Sequence, residues 1–212
     1  MKSLILVSTG RCGTKRISEM LTVLLKDKGI EVNHQRPFSR ISNVLGNIMF
    51  YIGSIDLVKR LLFGIQFKRG KNGNIFTDPL TAMCLPGNIV ADHEVHIIHI
   101  HRDDKAFAQS MYRLTRSRTA SLFAHNFIPF WQPYLWPLEN FINPNIRLKY
   151  EKMNQLKNKW FEARYKSNPN YRMVEMQTIF KEGFLNDLIK DIFELEINAN
   201  QEILNIKSNQ SS

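Results

Sequence analysis

Residues 3–16, Ser-Leu-Ile-Leu-Val-Ser-Thr-Gly-Arg-Cys-Gly-Thr-Lys-Arg, leave few folds open to this chain. A short apolar, β-favouring run passes straight into a loop holding Gly10 and Gly13. An amphipathic helical pattern, Ile17, Met20, Leu21, Leu24 and Leu25, begins directly behind it. Strand, glycine loop and helix start together form an anion site: glycine lets the backbone approach closely, and unpaired N–H groups and the helix dipole favour negative charge. Arg11, Lys15 and Arg16 add side-chain cations at the same place. A phosphate-like group fits there.

The rest of the chain repeats the alternation. Residues 4–7, 31–34, 75–78, 95–101 and 172–176 read as buried strands, and 16–28, 55–68, 104–116 and 150–166 as helices. Strands alternating with helices predict an α/β fold in three layers, a central, mostly parallel sheet flanked by helices. In such sheets ligands bind beyond the carboxyl ends of the strands, which gathers Gly10–Lys15, His34–Arg36, Asp78 and Arg102 along one edge. Residues 1–200 read as one domain and 201–212 as a flexible tail. Residues 119–145, rich in aromatics and prolines, read equally well as an acceptor-binding lid or as an irregular stretch closing the core.

A net charge of +10 over 212 residues points to anionic partners, or simply to a solvated basic surface. Cys12 and Cys84 are the only cysteines, so no disulfide framework is implied. The first apolar run ends at Val7, too early for a signal peptide. Asp56, Lys59 and Arg60 interrupt residues 41–67, leaving less than the about 20 apolar residues a membrane span needs. A cytoplasmic protein is expected. Core packing is the first reading of the 57–67 helix and peripheral membrane contact the second.

The loop is not a Walker A motif: Thr14 separates Gly13 from Lys15, and Arg16 stands where a magnesium-holding Ser or Thr would follow. A second constellation lies at 96–113. A buried strand ends at Arg102, Asp103 and Asp104 can start the next helix, and Ser110 follows eight residues after the arginine. That places Ser110 about two turns into the returning helix, where guanidinium and hydroxyl can clamp one anion from two directions.

Together the two constellations resemble the sulfotransferase family. The loop resembles its 5′-phosphosulfate loop, Pro/Gly-x-(Lys/Arg)-Ser-Gly-Thr-Thr. Arg102 and Ser110 resemble its 3′-phosphate site, an Arg and a Ser eight apart after a strand reading Ile-Ile-His-x-x-Arg-Asp. Thr-Asp-Pro-Leu at 77–80, His34 at the end of the second strand and Trp160 before the late strand extend the similarity over residues 3–180.

The resemblance implies a P-loop NTPase-like sulfotransferase fold and the donor 3′-phosphoadenosine 5′-phosphosulfate. It also implies sulfuryl transfer to a hydroxyl or amine, with 3′,5′-ADP as product and no metal. Carried over, Arg11 neutralises charge on the oxygen between phosphate and sulfate. The N–H groups of Gly13, Thr14 and Lys15, with the Thr14 hydroxyl, hold the 5′-phosphate. Cys12 and Arg16 complete the donor loop, and Arg102 and Ser110 bind the 3′-phosphate. The chain departs from the pattern in Cys12 for Ser, in Lys15-Arg16 for Thr-Thr, and in 174–179, Val-Glu-Met-Gln-Thr-Ile, for Tyr-Glu-Asp-Leu. It also has His34-Gln35 where relatives carry His-Glu. Gln cannot take a proton at neutral pH, so His34 is the expected base, with a structural or substrate-orienting histidine as its other reading. The acceptor, a saccharide, lipid-linked glycan or small molecule, would be met by residues 36–70 and 119–150.

Other readings of the same residues are a kinase-like nucleotide-binding protein, a relative that binds the donor without transferring, and a nucleic-acid module around Arg113, Arg116 and Arg118. No nucleic-acid motif supports the last. His93, His96, His99 and His101 invite a zinc site, against which packed strand histidines are the stronger expectation. Cys12 at a helix start beside Arg11 invites a low-pKa nucleophile.

Overall fold

The computed structural model describes residues 1–34, 70–77, 85–116 and 145–199. Its elements are β1 (Ser3–Ser8), α1 (Thr14–Leu24), β2 (Ile30–Asn33), β3 (Gly73–Phe76), α2 (Gly87–Val90), β4 (Val95–His101) and α3 (Asp104–Arg116). α4 (Ile146–Tyr165), β5 (Tyr171–Glu175), α5 (Met176–Ile179) and α6 (Phe184–Phe193) follow. The strands form a five-stranded sheet in the order β2-β3-β1-β4-β5, and every pairing is parallel. The expected helix at 55–68, Gln35, Arg36, Asp78, Cys84, the 119–144 stretch and the 201–212 tail lie outside the described residues.

The inner strands are covered on both faces, which is why β1 reads as a continuous apolar run, whereas the edge strand β5 is largely exposed. In β1, Leu4 and Leu6 point to one face and Ile5 and Val7 to the other, all within 2% exposure. The first face packs against Ile17, Met20 and Leu21 of α1 and Leu185, Leu188, Ile189 and Ile192 of α6. The second packs against Phe161 and Tyr165 of α4 and Val90 of α2. Phe107 and Met111 of α3 meet Tyr150 and Met153 of α4 in a separate cluster. Each fully buried Leu or Ile contributes about 1.5–3 kcal/mol, so these two layers hold β1 rigidly as the central strand.

The expected strands are all present, with ends moved by one or two residues, but 172–176, expected to be buried, is a largely exposed edge strand; 95–101 and the 104–116 helix match in full. α1 starts at Thr14 rather than 16 because Gly13 takes the left-handed N-cap conformation, and it stops at Leu24, before the polar turn Lys26-Asp27-Lys28-Gly29. α4 starts at Ile146 rather than 150, since the Asn145 side chain accepts from the N–H groups of Arg147 (3.1 Å) and Leu148 (3.4 Å). α6 was not anticipated, although its buried residues at 185, 188, 189 and 192 follow helical spacing.

Strand order reverses about β1: the chain moves from β1 to β2 and β3 on one side, then to β4 and β5 on the other. The crevice beyond the carboxyl end of β1 is therefore the switch point where a parallel sheet binds its ligand.

Candidate functional site

At that switch point the chain curls tightly. Gly10, Arg11 and Gly13 all have positive φ, +92°, +55° and +74°. A side chain at Gly13 would put its Cβ 2.9 Å from the Phe180 ring, so glycine is needed there for space as well as conformation. Arg11 holds a left-handed conformation that costs a non-glycine residue about 1 kcal/mol and persists only where neighbours enforce it. One such neighbour is Arg102, whose Nη1 donates to the Arg11 carbonyl. Behind the loop, α1 begins, and no acidic side chain occupies its first turn.

Arg102 follows the last residue of β4, and Ser110 lies in the second turn of α3. The structure brings both onto the loop: Arg11 Nε donates to Ser110 Oγ at 3.2 Å. Burial first, and then the charge of Arg102, lowers the pKa of Arg11. Two guanidiniums held this close repel one another, and an anion between them removes that cost. Arg11 thus contacts both residues of the expected clamp, Ser110 through its side chain and Arg102 through its carbonyl.

What aligns the clamp is Asn154 of α4, fully buried. Its Oδ1 accepts from Thr9 Oγ1 at 2.6 Å, at the end of β1. Its Nδ2 donates to the Arg102 carbonyl at 3.0 Å and to Asp104 Oδ1 at 2.7 Å. One amide therefore ties the loop strand, the arginine and the start of α3 together. Asp104 Oδ2 accepts from Gln155 Nε2 at 2.8 Å, and Asp103 Oδ1 accepts from the Ala106 N–H at 2.9 Å to cap α3. The sequence reading did not include Asn154; the signal was a polar residue on the buried face of α4, between Met153 and Phe161.

His34, just past β2, lies on the same edge. Its Nδ1 is 2.8 Å from Thr77 Oγ1, which follows β3. Burial lowers the pKa of His34, a Thr77 main-chain hydrogen bond and the charge of Glu19 raise it, and the charge of Lys15 lowers it. The ring therefore shares an electrostatic environment with the first turns of α1. Lys15 Nζ is 3.8 Å from Glu19 Oε1, while Glu19 Oε2 is buried without a partner. The Arg16 guanidinium lies over the Phe180 ring, 4.7 Å from its centre, with its Nε buried and unpartnered.

Thr14 is buried at the start of α1, and the Cys12 side chain turns into the core. Its Sγ donates to the Gly10 carbonyl at 3.2 Å, and burial pushes the thiol up to about 11. That overturns the low-pKa nucleophile reading: Cys12 is a packed, protonated thiol, and what it can offer an anion is its main chain. His99 is fully buried, with Tyr171 Oη 2.8 Å from Nδ1 and Asn158 Oδ1 2.9 Å from Nε2. His101 Nδ1 is 2.9 Å from Glu175 Oε1. Among the described residues no three His, Cys, Asp or Glu side chains are grouped to hold a metal, and no helix is long and apolar enough to cross a membrane.

No protein-family model matches the chain, and no curated protein matches it in sequence. Among solved structures it is similar to a sulfotransferase from Alicyclobacillus acidocaldarius, with a TM-score of 0.52 and 11% identity. The match covers 99% of this chain and 87% of the other. The two share a fold. The all-parallel sheet flanked by helices is thus a sulfotransferase-like architecture, as the resemblance in the loop implied.

Proposed function

We propose that the protein is a sulfotransferase that moves a sulfuryl group from 3′-phosphoadenosine 5′-phosphosulfate to a hydroxyl or amine. The observation that carries this reading is the joining of two anion-binding stations, the loop after β1 and the Arg102–Ser110 pair after β4, through Arg11. Two stations at one edge suit a nucleotide with phosphate at both its 3′ and 5′ positions. The buried, unpartnered Arg16 Nε and the acid-free first turn of α1 are what an anion-binding loop would be expected to carry.

When bound, the donor supplies an activated sulfuryl group. The N–H groups of Gly13, Thr14 and Lys15 and the Thr14 hydroxyl bind its 5′-phosphate, with Cys12 contributing its main chain and Arg16 its charge. Arg102 and Ser110 bind the 3′-phosphate. The Arg11 guanidinium offsets negative charge growing on the departing phosphate, and His34 takes the acceptor proton. The acceptor is a saccharide, a lipid-linked glycan or a small molecule.

Calorimetric titration with 3′,5′-ADP, set against ATP with magnesium, tests the reading. Tighter binding of the bisphosphate is expected. Tighter binding of ATP–magnesium would replace it with a kinase-like nucleotide protein, and no binding of either would replace it with an interaction module.

A further inference from the structure

We propose that Thr77 is a positioning residue: its side-chain oxygen fixes His34 as the Nδ1–H tautomer and leaves Nε2 as the ring atom able to accept a proton. The use of that nitrogen in catalysis rests on the sulfotransferase reading; the tautomer does not.

A ring nitrogen and a hydroxyl 2.8 Å apart can share a hydrogen in either direction, so the direction must come from what else the hydroxyl does. Thr77 is wholly buried, and Thr77 Oγ1 donates to the Asn33 carbonyl at 3.3 Å. The same carbonyl accepts the Thr77 N–H at 3.0 Å, which fixes Thr77 against the end of β2. A hydroxyl has one hydrogen. With it on Asn33, the Thr77 oxygen faces His34 as an acceptor, and Nδ1 must be the donor. The relay Nδ1–H to Oγ1–H to carbonyl makes two hydrogen bonds that polarise one another. Turning the hydroxyl toward the ring would give up the Asn33 bond.

The Thr77 main-chain hydrogen bond raises the ring's pKa and so bears on its total charge rather than on the tautomer. The charges facing the ring, Glu19 and Lys15 on α1, have opposite signs and bear on its total charge rather than on which nitrogen holds the proton. In free neutral histidine the Nε2–H tautomer predominates, so Thr77 reverses the intrinsic preference. The consequence is chemical: an Nε2–H ring could only donate to an acceptor hydroxyl, whereas the Nδ1–H ring can remove its proton.

The test is a two-bond ¹H–¹⁵N spectrum of the full chain, recorded above the ring's titration, with the His34 signals assigned by their loss in His34→Gln. The wild type should show Nδ1 protonated and Nε2 bare. Thr77→Val, which keeps the shape and loses the acceptor, should return the ring to Nε2–H. It should also lower kcat roughly 10- to 100-fold with the donor KM unchanged. Thr77→Ser should restore both. A wild-type ring protonated on Nε2, or an Nδ1–H ring unchanged in Thr77→Val, overturns the proposal. If the tautomer follows Thr77 but the wild type transfers no sulfuryl group, the sulfotransferase reading has failed and the control of the ring by Thr77 stands.

Discussion

Asn154→Leu should lower the melting temperature by about 10 °C and weaken 3′,5′-ADP binding at the same time. The leucine fills much the same volume but leaves three groups without their amide partner: the Thr9 hydroxyl, the Arg102 carbonyl and the Asp104 carboxylate. Each such loss costs about 1–3 kcal/mol, and Asp104 keeps its bond to Gln155, so a total of about 3–5 kcal/mol is expected. Against a typical domain stability of about 5–15 kcal/mol that is a large fraction. The binding loss has a separate cause. Without the amide, the end of β1 and Arg102 keep the β1–β4 strand pairing and the Arg102–Arg11 bond but lose the side chain that fixes them to one another, and the two proposed anion stations are aligned less well. Thermal unfolding and bisphosphate titration on the same preparation check both effects. A melting temperature within about 3 °C of wild type would show that Asn154 does not tie these elements.

His34→Ala should leave donor affinity intact and lower turnover by roughly a hundredfold or more, the usual range for a lost general base. The ring lies on the edge that carries the donor loop, yet its hydrogen-bond partner is Thr77 rather than the loop, so binding and chemistry separate at this residue. The pH profile carries the same information. Burial lowers the pKa of His34 below its ordinary 6.5, so the neutral, proton-accepting ring is present throughout the neutral range. Activity should fall on the acid side with its midpoint below pH 6.5, where the ring takes up its proton. His34→Ala should lack that acid limb. Unchanged turnover would leave His34 a structural histidine.

The sheet was legible because its central strands are buried on both faces. Leu4-Ile-Leu-Val7 is apolar at successive positions and β4 buries Val95, Ile97, Ile98 and Ile100 between its histidines, the pattern of doubly covered parallel strands. The loop was legible through Gly10 and Gly13, whose positive φ values no bulkier residue adopts without strain. Arg102 and Ser110 were legible because a strand end and a helix turn fix their separation. Asn154 was not, because its partners Thr9, Arg102 and Asp104 are distant in sequence and nothing local distinguishes a buried amide from a solvated one. Thr77 stood inside a recognisable run, but its bond to His34 depends on β2 and β3 being neighbours in the sheet. The core position of Cys12 was hidden for the same reason: only the packing of α1, α5 and α6 shows that the thiol faces inward.

On the proposed function, one edge of the sheet carries two phosphate stations, the second built on Arg102. That claim is tested most directly by the affinity of the chain for 3′,5′-ADP relative to 5′-AMP, which lacks the 3′-phosphate, in wild type and in Arg102→Ala. A charge-assisted hydrogen bond of about 1.5–3 kcal/mol corresponds to roughly 10- to 100-fold in affinity. The wild type should therefore prefer the bisphosphate by that factor, and Arg102→Ala should lose most of the preference while binding 5′-AMP nearly as well. Equal affinity of the wild type for the two nucleotides would contradict the second station, and with it the reading of this edge as a bisphosphate site.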